Sequence, residues 1–180
     1  MNEREMKFEL KAVSKKGAVV KEKMVRSEYD ESVGKIYCGD CLEIMQKELR
    51  AKNIKVDLIY LDPPFFTGKI QKKGWNPEAM EMSFEDSKDF WGTTSAKEAP
   101  TWIKEIAGDK RRRQFASYLC YMRDRLELCK KVLKNTGSIY LHCDYRASHY
   151  LKVIMDEIFG YKNFRNEIIW HKKGGIKAVS

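Results

Sequence analysis

Apolar residues recur along the middle of this chain at two distinct periods, and the alternation between them predicts its elements. Residues 35–38 read as a short strand, with Gly39 and Asp40 as the turn that follows. Asp40 suits the N-cap of a helix reaching about residue 49, because Leu42, Met45 and Leu49 fall on one face. Residues 55–61 form a largely apolar run with β-branched members, the pattern of a strand buried on both sides. Pro63 and Pro64 end it, since proline offers no N–H to a sheet ladder. Phe115, Leu119, Met122, Leu126, Cys129 and Leu133 recur at spacings of four and three and predict a long helix. Asn135, Thr136 and Gly137 stop it, and residues 138–142 make another short strand. A second helix turns Leu151, Ile154, Met155, Ile158 and Phe159 inward and stops at Gly160. Residues 166–170 predict a final strand before a basic, glycine-containing tail.

Two stretches lack such a pattern. Residues 1–33 are charged and predict an arm or an irregular cover over the sheet. Residues 66–112 are polar, with Gly68, Gly74, Gly92 and Gly108 and with Trp75, Trp91 and Trp102 scattered among them. A segment of that length inside a domain reads as a lid. Strands alternating with helices predict an α/β fold around a parallel sheet, in which ligands sit at the carboxyl ends of the strands. Asp40, Asp62 and Asp144 fall at or just past such ends. Asp40 by itself reads first as a helix cap.

Composition narrows the class. A chain of 180 residues with 43% hydrophobic positions is long enough for one domain with a sizeable core. No apolar run approaches the roughly 20 residues of a membrane span, and residues 1–10 hold no signal-peptide core. The expected location is the cytoplasm, with no membrane partner. Thirty-five basic against 26 acidic residues give a formal charge of +9, which favours a polyanionic partner such as nucleic acid. The five cysteines are odd in number and predict free thiols. Cys38 and Cys41 have metal-like spacing, but no second such pair follows, so no metal is expected.

Asp62-Pro63-Pro64-Phe65 carries the chemistry. It resembles the signature of amino-methyltransferases, an Asp, Asn or Ser followed by two prolines and an aromatic residue, and a chance match in a chain of this length is on the order of one in a hundred. A rigid strand-ending turn explains the prolines but not their neighbours. The exocyclic amino group of adenine or cytosine is a poor nucleophile, because its lone pair is delocalised into the ring. Two acceptors around the nitrogen hold both hydrogens and favour a more tetrahedral geometry. Asp62 supplies one through its carboxylate, and the Pro63 carbonyl supplies the other. Phe65 offers a flat face for an extruded base, and the prolines fix the acceptors beforehand. Phe66 reads more readily as core.

Around the tetrapeptide, residues 36–43, 56–65 and 137–144 resemble site-specific DNA methyltransferases of the permuted β class, as do Ala147 to Leu151, residues 156–160 and residues 166–170. The likeness covers about residues 34–173. It implies a partial Rossmann-like methyltransferase sheet, mostly parallel, with helices on both faces. It also implies S-adenosylmethionine as cofactor, with Asp62 and Asp40 at its edge, and adenine N6 as the favoured acceptor over cytosine N4. In that class a target-recognition region and a Phe-x-Gly-x-Gly loop follow the catalytic half. No such loop occurs here, and residues 174–180 stand where the recognition region should begin. The expectation is an incomplete chain, with a complementary chain carrying the loop and the recognition region as a possible partner beside DNA.

The run Lys110, Arg111, Arg112 and Arg113 reads either as a set of DNA phosphate contacts or as a solvated helix start. The lid tryptophans read as packing residues, and His142 and His149 as structural. Competing with the enzyme reading is a catalytically inactive nucleic-acid-binding fragment that keeps the base pocket without the cofactor. Methylation of RNA or of a protein amide is a weaker third reading, because Asn rather than Asp opens the signature there.

Overall fold

A computed structural model of the chain describes residues 21–26, 33–73, 81–86 and 98–170. The arm up to residue 20, Trp75, Trp91 and the tail from residue 171 lie outside the described residues. The chain divides into two compact units: residues 1–60 with 127–140, and residues 61–126 with 141–180.

In the first unit, β1 (Lys21–Arg26) pairs antiparallel with β2 (Val33–Cys38). The sequence pattern had predicted a strand at residues 35–38 feeding a parallel sheet. Its hydrogen-bonded neighbour is instead a strand formed inside the charged arm. After the turn at Gly39, Asp40 accepts the Leu42 backbone N–H at 2.7 Å and caps α1 (Cys41–Ile44), as the spacing predicted. The helix then continues through Met45–Arg50 with π-type winding.

Two further strands form a parallel pair, β3 (Val56–Leu61) with β6 (Leu133–Leu141). Their last residues, Leu61 and Leu141, belong to the second unit. Gly137 lies where β6 runs close beside β3. A Cβ there would stand 2.7 Å from a Leu133 side-chain carbon and 3.0 Å from the Asp57 carbonyl oxygen, which excludes any larger residue without movement. Lys134 and Asp57 form an ion pair at 2.8 Å. Contrary to the expectation of a strand buried on both sides, Leu58 and Tyr60 are 58% and 63% exposed. The pattern of residue types is right for a core strand, but among the described residues β3 has one paired neighbour and no cover over these side chains.

In the second unit, the segment expected to be an unpatterned lid contains regular structure. Strands β4 (Lys69–Lys73) and β5 (Glu81–Asp86) pair antiparallel with an irregularity at Gln71 and Lys72, and α2 (Thr101–Gly108) follows. The long helix α3 (Arg113–Val132) begins here and passes its last residues to the first unit. All six predicted stripe positions are buried. Leu133, however, is already the first residue of β6, so the helix stops at Val132 and not at Asn135. Helix α4 (Ser148–Phe159) buries Leu151 and Ile154 and ends at Gly160, whose φ of 88° is the left-handed geometry that favours glycine. Residues 166–170 form no strand. Among the described residues they have no ladder partner, and Ile168, Ile169 and Trp170 are exposed. The α/β class holds, and no helix among the described residues is long and apolar enough to cross a membrane.

Cys129 is fully buried, with its sulfur 3.9 Å from that of Met45. Burial pushes its thiol from near 9 up to about 12. The unfolded chain therefore loses this proton near pH 9, while the folded chain keeps it until about pH 12. The stability it contributes is complete below the lower value and disappears as the pH rises through the upper one. Urea titrations at pH 8, 9 and 10 should show unfolding free energy declining above pH 9, and Cys129→Ala should make that decline shallower.

Candidate active site

The tip of β3 delivers Asp62 to the surface of the second unit. Its side chain is 64% exposed, so the carboxylate faces solvent and not the interior. The two prolines behind it have no N–H and fixed φ, which makes the turn stiff. The Pro64 carbonyl accepts a hydrogen bond from the Tyr118 hydroxyl of α3 at 3.0 Å. Among the described residues, nothing hydrogen-bonds to the Pro63 carbonyl. The result is one carboxylate and one main-chain oxygen with acceptor capacity, on consecutive residues.

Phe65 and Phe66 part company at this point. The Phe65 ring lies 5.2 Å from the His142 imidazole, at an interplanar angle of 50°. Phe66 packs against Phe115 at 5.2 Å and Tyr118 at 5.5 Å, both from α3, in agreement with its reading as core. Its backbone adopts φ 58°, a left-handed conformation that is uncommon for an aromatic residue. The packed, half-buried Phe66 ring thus accompanies a strained backbone step between the two phenylalanines.

His142 and Tyr118 are the residues that the sequence pattern underrated. The His142 backbone N–H donates to the Leu61 carbonyl at 2.8 Å, and its Nδ1 lies 3.6 Å from Asp62 Oδ1. Both follow from parallel pairing, which sets the residues after two neighbouring strands side by side. Tyr118 sits one turn from Phe115 and from Met122, on the flank of the apolar stripe, where a hydroxyl reaches past the core edge.

The other candidates have local partners. Asp40 belongs to the first unit, where it caps α1. Asp144 accepts the Arg146 backbone N–H at 2.9 Å and pairs with the Arg146 guanidinium. In the basic run, Arg111 pairs with Asp109 at 3.3 Å, and its guanidinium holds the Asp109 carboxyl below the usual range. Arg112 donates to the Tyr150 hydroxyl at 2.8 Å, with its guanidinium over the Phe115 and Tyr150 rings. Arg113 donates to the Ala107 carbonyl at 3.3 Å. Lys110 and Arg111 remain exposed, so the run presents positive charge while anchoring to the protein. Trp102 stacks on Tyr150 and donates to Glu157 at 2.8 Å, the packing role expected of it. Among the described residues no group of three or more His, Cys, Asp or Glu residues is arranged to hold a metal ion.

Such a surface can hold a planar base that carries an amino group. The carboxylate and the Pro63 carbonyl accept its two hydrogens, and the Phe65 ring offers a stacking face. Exposed carboxylates also match the needs of a sulfonium donor bearing hydroxyl groups, and Asp62 meets that requirement.

Fold and site define an α/β domain with an exposed carboxylate, a stiff proline turn and an aromatic ring at the tip of a parallel strand. The sequence profile of the DNA methylase family matches residues 56–180. The chain is 33% identical over 143 residues to the type III restriction-modification enzyme StyLTI Mod subunit of Salmonella typhimurium (strain LT2), a match covering 79% of this chain and 21% of that protein. It is 32% identical over 124 residues to the type II methyltransferase M.EcaI of Enterobacter cloacae, covering 69% and 21% respectively. With M.HinfI of Haemophilus influenzae it shares 24% identity over 153 residues, covering 85% and 35%. The chain belongs to the DNA methylase family of N6 and N4 methyltransferases. It spans about a fifth of the length of the first two relatives.

The Tyr118 hydroxyl bond to Pro64 braces the turn from behind. Tyr118→Phe keeps the ring and removes the hydroxyl that makes that bond, so we expect a loss of about 0.5–1.5 kcal/mol in urea denaturation. An unchanged midpoint would assign the brace to ring packing alone.

Proposed function

We propose that this chain carries the catalytic part of a DNA amino-methyltransferase, which transfers a methyl group from S-adenosylmethionine to N6 of adenine in DNA. The observation that carries the reading is the solvent-facing Asp62 carboxylate, next to the Pro63 carbonyl and the Phe65 ring at the tip of a parallel strand. Asp62 and the Pro63 carbonyl hold the amino group, Pro64 stiffens the turn, and Phe65 stacks on the extruded base. S-adenosylmethionine would supply the electrophilic methyl group when bound, with Asp62 at its edge. Cytosine N4 is the alternative acceptor, because the same clasp fits both amino groups.

The names of the relatives support a restriction-modification setting, and the cytoplasm is the working compartment in this reading. Segments with a glycine-rich loop and a target-recognition region, on the same or a separate polypeptide, complete the enzyme in this reading. The formal charge of +9 also suits a second reading, a nucleic-acid-binding fragment without turnover. Calorimetry with S-adenosylmethionine, with and without such segments, separates the two.

Transfer of labelled methyl groups to duplex DNA by this chain together with the completing segments, followed by mass spectrometry of the nucleosides, tests the enzyme reading. We expect N6-methyladenine as product, and a loss of about 100-fold or more for Asp62→Ala. Undiminished turnover in that variant overturns the assignment. We further propose that Lys110, Arg111, Arg112 and Arg113 contact DNA phosphates. Replacing the three arginines with alanine should flatten the dependence of DNA affinity on salt by up to about three phosphate contacts, and an unchanged slope removes the run from the interface.

A further inference from the structure

We propose that His142 is a positioning residue that orients the Asp62 carboxylate through a neutral, Nδ1-protonated imidazole; this rests on the clasp reading above. Three contacts converge on it. Its backbone N–H is fastened to the Leu61 carbonyl at 2.8 Å, which fixes its position one residue from Asp62. Its Nδ1 stands 3.6 Å from Asp62 Oδ1, and its ring lies 5.2 Å from that of Phe65. The same imidazole therefore borders both the proposed acceptor and the proposed stacking face.

An exposed His beside an Asp is worth little as a surface ion pair, and the side chains are 51% and 64% exposed. The role lies in orientation and not in stability. A solvent-facing carboxylate rotates freely, and ordering it before the base arrives lowers the cost of the productive geometry. An Nδ1–H directed at Oδ1 sets that rotation and leaves Oδ2 to accept from the amino group. At 3.6 Å the contact exceeds a direct hydrogen bond, and a small side-chain rotation is enough to close it. The carboxylate partner selects the Nδ1-protonated tautomer, while Phe65 limits the swing of the ring.

Nitrogen-15 NMR of the imidazole tests the pairing on this chain and needs no turnover. We expect the Nδ1-protonated tautomer to dominate in the unmodified chain and to recede in Asp62→Ala. Predominance of the Nε2-protonated tautomer in both overturns the proposal. In the methyl-transfer assay, His142→Phe keeps a ring beside Phe65 but removes the donor. It should lower kcat by about 10-fold to 100-fold while KM for DNA stays within about twofold, and His142→Asn, which restores an N–H, should recover most of the loss. Urea midpoints of both variants check that folding is retained. Full turnover in His142→Phe alongside lost turnover in Asp62→Ala overturns this proposal alone. Full turnover in Asp62→Ala overturns the clasp reading and this proposal with it.

Discussion

A single backbone hydrogen bond, from the His142 N–H to the Leu61 carbonyl, closes the parallel pair at its functional end. Everything that projects beyond the two strands inherits its spacing from that bond. In parallel pairing the residues after both strands leave in the same direction, so Asp62 and His142 become neighbours although 80 positions separate them in the chain. The requirement is strict enough to leave a mark at Gly137, where the strands approach too closely for a side chain.

Much of this arrangement was legible in the order of residues. The stripe on α3 was read position by position, because a helix buried along one face repeats its demand for apolar side chains. The Asp40 cap and the Gly160 stop were legible for a local reason, since each satisfies or releases backbone groups within a few residues. The tetrapeptide was legible because two adjacent prolines leave few conformations open. What could not be read depended on partners distant in sequence. The charged stretch holding β1 becomes a strand only because β2 lies beside it, and residues 166–170 have strand-forming side chains without a ladder. Leu58 and Tyr60 have the character of core residues, but exposure is a property of surroundings and not of type. His142 went unrecognised for the same reason: its neighbours come from the other strand of the pair.

The basic run shows a related division between composition and placement. Its formal charge is plain in the sequence, yet Arg112 spends its guanidinium on two aromatic rings and a tyrosine hydroxyl. Arg111 is exposed but balanced by Asp109. Cations held in this way lose little conformational freedom on meeting an anion, because their side chains are already ordered. A count of arginines therefore understates how the surface is prepared.

The left-handed step at Phe66 joins two jobs that would otherwise be separate. By reversing the local direction of the chain, it sends one ring into the aromatic packing of α3 and leaves the preceding ring beside His142. The inner phenylalanine acts as ballast for the outer one: dispersion among Phe66, Phe115 and Tyr118 offsets the backbone strain and keeps the outer ring at a constant angle. Repacking of the helix surface would therefore reach the Phe65 ring through a single residue, so that a substitution in the packed helix face would still be felt at an aromatic ring it does not touch.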